Sequence, residues 1–93
     1  MSSVRLQLEA RLDLRAAEPL AQVLVEHRGN DLILDAREVT QIGALAVQVI
    51  RSAAKSWAED NVKLSMENAS TDLSDQLYLL GFKPETITQW EAA

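Results

Sequence analysis

The stretch Asp31–Ile50, DLILDAREVTQIGALAVQVI, decides the fold of this chain. Leu32, Ile33 and Leu34 are consecutive apolar residues ending at Asp35. With no polar alternation they describe a strand covered on both faces, hence central in a sheet. A polar loop follows, and a long helical pattern opens at Gly43. From Ala44 to Asp60, the residues Ala46, Val47, Ile50, Ala54, Trp57 and Ala58 fall on a broad apolar stripe. A buried strand feeding a loop and then an amphipathic helix is the unit from which α/β folds are built.

On the N-terminal side, Val4, Leu6 and Leu8 alternate with Arg5, Gln7 and Glu9, and Leu12 and Leu14 continue the alternation. Period two predicts a half-buried strand or a short hairpin. Ala16 to Arg28 reads as a helix, with Pro19 in its first turn, where a missing N–H costs nothing. Leu20, Val23, Leu24 and His27 share one face, and Gly29-Asn30 ends the helix. On the C-terminal side, Val62, Leu64 and Met66 alternate with polar residues as another strand. Asn68 to Thr71 forms a capping turn, and Leu73, Leu77 and Leu80 mark a third helix stopped by Gly81 and Pro84. Thr86 to Trp90 is read as a last short strand or a terminal extension. The order β-β-α-β-α-β-α(-β) predicts one α/β domain over 1–93, with a mostly parallel sheet of four to five strands, a mixed edge and three to four helices.

The net charge of -5 disfavours nucleic acid, which demands a positive patch to displace counterions. Anionic membrane surfaces are disfavoured for the same reason. No apolar run reaches the roughly 18 residues that span a bilayer, and the charged N-terminus is unlike a signal peptide. A cytoplasmic location is therefore expected. With no cysteine, thiolate metal sites and a Cys nucleophile are excluded. His27 has no second His or Cys to complete a ligand set. Asp72 and Asp75 read as first-turn charges on a helix rather than a cation site. Gly29, Gly43 and Gly81 lie too far apart for a phosphate loop. No catalytic residue, metal site or cofactor is expected. Trp57 suits either core or interface, and Trp90 is an interface candidate.

These residues, above all Leu34-Asp35-Ala36-Arg37-Glu38-Val39-Thr40-Gln41-Ile42-Gly43-Ala44-Leu45-Ala46, resemble the STAS domain, the fold of bacterial anti-sigma factor antagonists. Leu34 and Asp35 match the strand end, Val39 and Ile42 the loop anchors, and Leu79-Leu80-Gly81-Phe82 the end of the last main helix. The resemblance places the family's aspartate on Gly43, its phosphorylatable serine on Ala44 and its glycine on Ala46. A methyl group cannot accept a phosphoryl group, so the resemblance implies a degenerate phospho-site at Gly43 and Ala44. Thr40 is the nearest hydroxyl, and capping or turn bonding is favoured for it over phosphorylation.

Ala46-Val47-Gln48-Val49-Ile50, Trp57 and the Glu67-Asn68-Ala69-Ser70 turn are similar to small STAS proteins encoded beside chemotaxis genes in alphaproteobacteria. That likeness implies an accessory partner of the chemotaxis histidine kinase CheA, tuning phosphoryl flow to response regulators. The loop Arg37 to Ile42 and the start of the following helix are expected to form an exposed edge, so the partner-binding candidates are Arg37, Glu38, Thr40, Gln41, Gly43, Ala44, Leu45 and Gln48. Two alternatives stand beside it: a STAS subunit of a lipid-transport ABC ATPase, and an anti-sigma factor antagonist phosphorylated at Thr40. Leu45 and Val49 lie off the main stripe, which suits either a homodimer face or packing under a neighbouring element.

Overall fold

The computed structural model describes residues 3–91. Strand β1 (Val4–Gln7) is followed by the two-residue β2 (Arg11–Leu12), helix α1 (Leu14–Glu26), β3 (Leu32–Asp35), β4 (Gln41–Ile42), α2 (Ala44–Glu59), β5 (Leu64–Glu67) and α3 (Thr71–Leu79). The α/β class is as expected. The run Leu32–Leu34 is indeed central: β3 lies between β1 and β5, all parallel, with Leu32 and Leu34 buried.

Parallel neighbours require a crossover, and α1 and α2 supply one each. Both crossovers step in the same direction across the sheet. Right-handed connections therefore put both helices on one face, where they pack against each other. One core cluster results, built from Leu20 and Leu24 of α1, Leu32 and Leu34 of β3, Ile50 and Trp57 of α2, and Leu73 and Leu77 of α3.

The expected mixed edge does not form: every strand pair among the described residues is parallel. The segment read as one strand or a hairpin is two strands in different sheets. β1 joins β3, whereas β2 pairs with β4 as a separate two-stranded ladder. A bend at Ala10 divides them. The Ala10 carbonyl accepts the N–H groups of Thr40 and Gln41 at 2.8 and 3.2 Å, which starts the second ladder.

Helix α1 begins at Leu14, two residues before its expected start. Asp13 is its N-cap and accepts from the N–H groups of Arg15 and Ala16. Pro19 consequently falls inside the helix and not in its first turn. Gly29, at φ +89°, turns the chain after the helix as anticipated.

On α2 the buried face runs through Ala53, which replaces the expected Ala58; Ala58 is exposed in the last turn. On α3, Leu73 and Leu77 are buried, but Leu80 is the C-cap and 37 % exposed. Asp72 lies in the first turn of α3 and Asp75 beyond it. Thr86–Trp90 forms no strand. The Ile87 N–H bonds back to the Lys83 carbonyl, winding this segment into turns that bury Ile87 completely.

Candidate docking surface

The loop between β3 and α2 takes its shape from Asp35. This carboxylate is 5 % exposed and sits where β3 ends. Its Oδ1 accepts the Arg37 N–H at 3.1 Å, the two-residue reach by which an aspartate starts a turn. Oδ1 also accepts from Asn68 Nδ2 at 3.0 Å, and Oδ2 accepts from Arg5 Nη1 at 3.3 Å. Asn68 holds φ +64°, a left-handed conformation that asparagine tolerates. The Asn68 amide, the Arg37 N–H and the two arginines hold the Asp35 carboxyl below its ordinary value of 3.8, against the opposing effect of burial. Arg5 also reaches Glu67 at 2.8 Å, so one guanidinium on β1 ties together the ends of β3 and β5.

Beyond Asp35 the chain makes a tight turn in which the Val39 N–H bonds to the Ala36 carbonyl at 3.0 Å. Arg37 and Glu38 stand exposed at its apex, while Ala36 and Val39 are buried beneath them. Thr40 Oγ1 donates to the Ala10 carbonyl at 3.1 Å, so its hydroxyl bonds the adjoining loop and does not cap α2. Gln41 is exposed and Ile42 buried, the alternation of a short strand.

The outer edge of β4 is closed by a side chain. Gln76, on α3, accepts the Ile42 N–H through Oε1 and donates to the Thr40 carbonyl through Nε2, both at 2.9 Å. A primary amide thus occupies the place that the peptide group of a further strand would take. Gln76 carries no sequence signal; only the packing of α3 beside β4 reveals it.

Gly43 is the N-cap of α2 and offers no side-chain acceptor to the first-turn N–H groups. Its φ of -107° is open to any residue. A Cβ there would meet only the Leu12 carbonyl oxygen, at an ordinary 3.7 Å. Ala44 follows, exposed on the first turn. The position that the family resemblance assigns to a phosphorylatable serine is therefore solvent-facing and carries a methyl group.

Leu45 is 43 % exposed, and Gln48 lies exposed one turn along α2. Both line a groove of about 360 Å³ between α1 and α2, together with Val25, Val49 and Trp57. Val25 is 70 % exposed, which leaves the groove open on its α1 side. Val49 packs against the core beneath. Of the residues expected to bind a partner, Arg37, Glu38 and Thr40 are exposed on the loop, Gln41 on β4, and Ala44, Leu45 and Gln48 on α2, with Gly43 half-buried at the N-cap between them. Trp57 belongs to the core, 2 % exposed, with Nε1 donating to the Asn30 carbonyl at 2.8 Å. His27 is the C-cap of α1, where its backbone N–H bonds to the Leu24 and Val25 carbonyls.

No helix among the described residues is long and apolar enough to cross a membrane. A family model described as "Mlab, STAS domain" matches residues 1–87. No curated protein matches the chain.

Proposed function

This chain belongs to the STAS domain family, and on that premise we propose that it is a non-enzymatic, cytoplasmic regulator that binds a protein partner through the strip from Arg37 to Gln48. The observation that carries this reading is Ala44: an exposed methyl group opening α2, beside the half-exposed Leu45. A phosphoryl group here would add about two negative charges to an apolar contact. With no acceptor hydroxyl at that position, binding is constitutive or set by the state of the partner.

The partner proposed is the chemotaxis histidine kinase CheA, with this chain tuning phosphoryl flow to response regulators. The sequence likeness around Ala46–Ile50 supports that choice. Ala44→Asp tests the surface. A carboxylate in the first turn of a helix is stabilising, so the variant is expected to fold normally. Calorimetry should show weaker kinase binding; unchanged affinity would reject this surface.

A second reading is a STAS subunit of a lipid-transport ABC ATPase. It is favoured by the exposed Val25 and Leu45, because permanent subunit interfaces are more apolar than transient ones. Pull-down from the native lysate with mass spectrometry separates a kinase from an ATPase subunit. Phosphorylation at Thr40 is the weaker alternative, since its hydroxyl proton already bonds to the Ala10 carbonyl.

A further inference from the structure

A second surface lies where α2 meets the C-terminal segment. Arg51, on α2, is held there from several sides. Its Nη1 donates to the carbonyls of Thr86 at 3.2 Å, Ile87 at 3.0 Å and Gln89. Its guanidinium carbon lies 5.0 Å from the Phe82 ring centroid and 5.1 Å from that of Trp90. Such contacts fix the group in place while leaving its charge unneutralised.

Only Nη1 is engaged: Nε and Nη2 have no protein acceptor among the described residues. No buried side-chain nitrogen or oxygen there lacks a partner, so these two donors reach solvent. Nε and Nη2 form one face of the guanidinium fork, the face that takes a carboxylate with two parallel hydrogen bonds.

The surroundings suit an anionic guest. Arg51, Tyr78, Lys83 and Trp90 line an open cleft of about 650 Å³. Lys55 approaches from the same helix, its Nζ 6.0 Å from the Trp90 ring. None of Arg51, Lys55 and Lys83 has a carboxylate within ion-pair distance among the described residues. Glu91 also lines the cleft but pairs with none of them. In a chain of net charge -5, this is a local concentration of unneutralised cations. Tyr78 and Trp90 add exposed aromatic surface, at 72 % and 38 %. Trp90 stands beyond residues 1–87, the span matched by the family model.

We infer that this cleft docks an acidic segment of a partner protein. One partner carboxylate would sit on Nε and Nη2 of Arg51, flanked by Lys55 and Lys83, with an apolar neighbour against Trp90 and Tyr78. Charge complementarity selects this occupant, and the aromatic walls favour a peptide over a bare ion. The inference is independent of the surface around Ala44, which lies on different residues.

The test is a titration followed by nitrogen–proton correlation spectra. The probe is a capped peptide alternating glutamate with leucine. Its controls are the same peptide with glutamine for glutamate, inorganic phosphate, and phosphatidylglycerol vesicles. The acidic peptide should move the Arg51 Nε and Trp90 indole resonances together and saturably, and the glutamine peptide should not. Charge reversal at the exposed lysines, Lys55→Glu with Lys83→Glu, should weaken binding about tenfold. The Trp57 indole resonance, from the core, should stay in place and report an intact fold. If the double variant misfolds, Lys83→Glu alone makes the same comparison. Silence of Arg51 and Trp90, equal binding of the glutamine peptide, or insensitivity to charge reversal would overturn the inference. So would phosphate or vesicles moving the same resonances at the peptide's concentration.

Discussion

Gln76 clasps Ile42: its Oε1 accepts the Ile42 N–H at 2.9 Å while its Nε2 donates to the Thr40 carbonyl, also at 2.9 Å. One side chain on α3 thereby satisfies the Ile42 N–H of β4 and the Thr40 carbonyl just before the strand. Buried N–H groups left without a partner are costly. Gln76→Ala should therefore lower stability by about 1–2 kcal/mol in urea denaturation. An unchanged midpoint would show that water replaces the amide without loss.

Gly43 caps α2 without a side-chain acceptor, and space for one exists beside the Leu12 carbonyl. Gly43→Asp should bond the free first-turn N–H groups and oppose the helix dipole. A gain of about 0.5–1 kcal/mol is expected. Equilibrium denaturation would register it, and a loss would mean that the carboxylate is repelled or fails to reach those donors.

Pro19 lies inside α1, where it lacks the N–H that would bond the Arg15 carbonyl. Pro19→Ala restores that donor but frees the unfolded chain. The net effect should be a gain of about 1–2 kcal/mol, seen as a higher melting temperature.

Asp35 gives the acid limb of stability a definite sign. Its carboxyl is held below 3.8 in the folded state, so the folded chain binds the proton less readily than the unfolded one. The stabilisation is complete above that ordinary value and is lost as pH falls through the lower folded one. Asp35→Asn should be less stable than the parent at neutral pH, with the difference shrinking on acidification. A difference that stayed constant with pH would show that the charge is not the cause.

Much of the fold was legible because its signals are periodic. The uninterrupted Leu32–Leu34 marked the central strand, and the spacing of Ala46, Val47, Ile50 and Trp57 marked α2. Sequence and structure part where two signals compete. Leu12 and Leu14 continue the strand alternation past Asp13, which masks the cap that starts α1 and shifts the expected first turn onto Pro19. Thr86–Trp90 reads as a last short strand or a terminal extension, yet the Ile87 N–H bonds to the Lys83 carbonyl and winds it into turns. The partner-binding expectation from Arg37 to Gln48 rests on an exposed loop and helix start, read beside a family resemblance. Gln76 and Arg51 are not legible in the sequence, since a single polar residue on a helix shows nothing until its neighbours are known.

The loop from Arg37 to Ile42 is laced on one side to the Ala10 carbonyl and on the other to Gln76. Its conformational entropy is therefore surrendered when the domain folds, before any partner arrives. A partner engaging this loop would meet a shape already set, close to rigid-body association. Substitutions on its exposed residues should then act mainly on how long a complex lasts and much less on how fast it forms. Loosening Gln76 would reverse that balance, giving the loop an ordering step that slows capture.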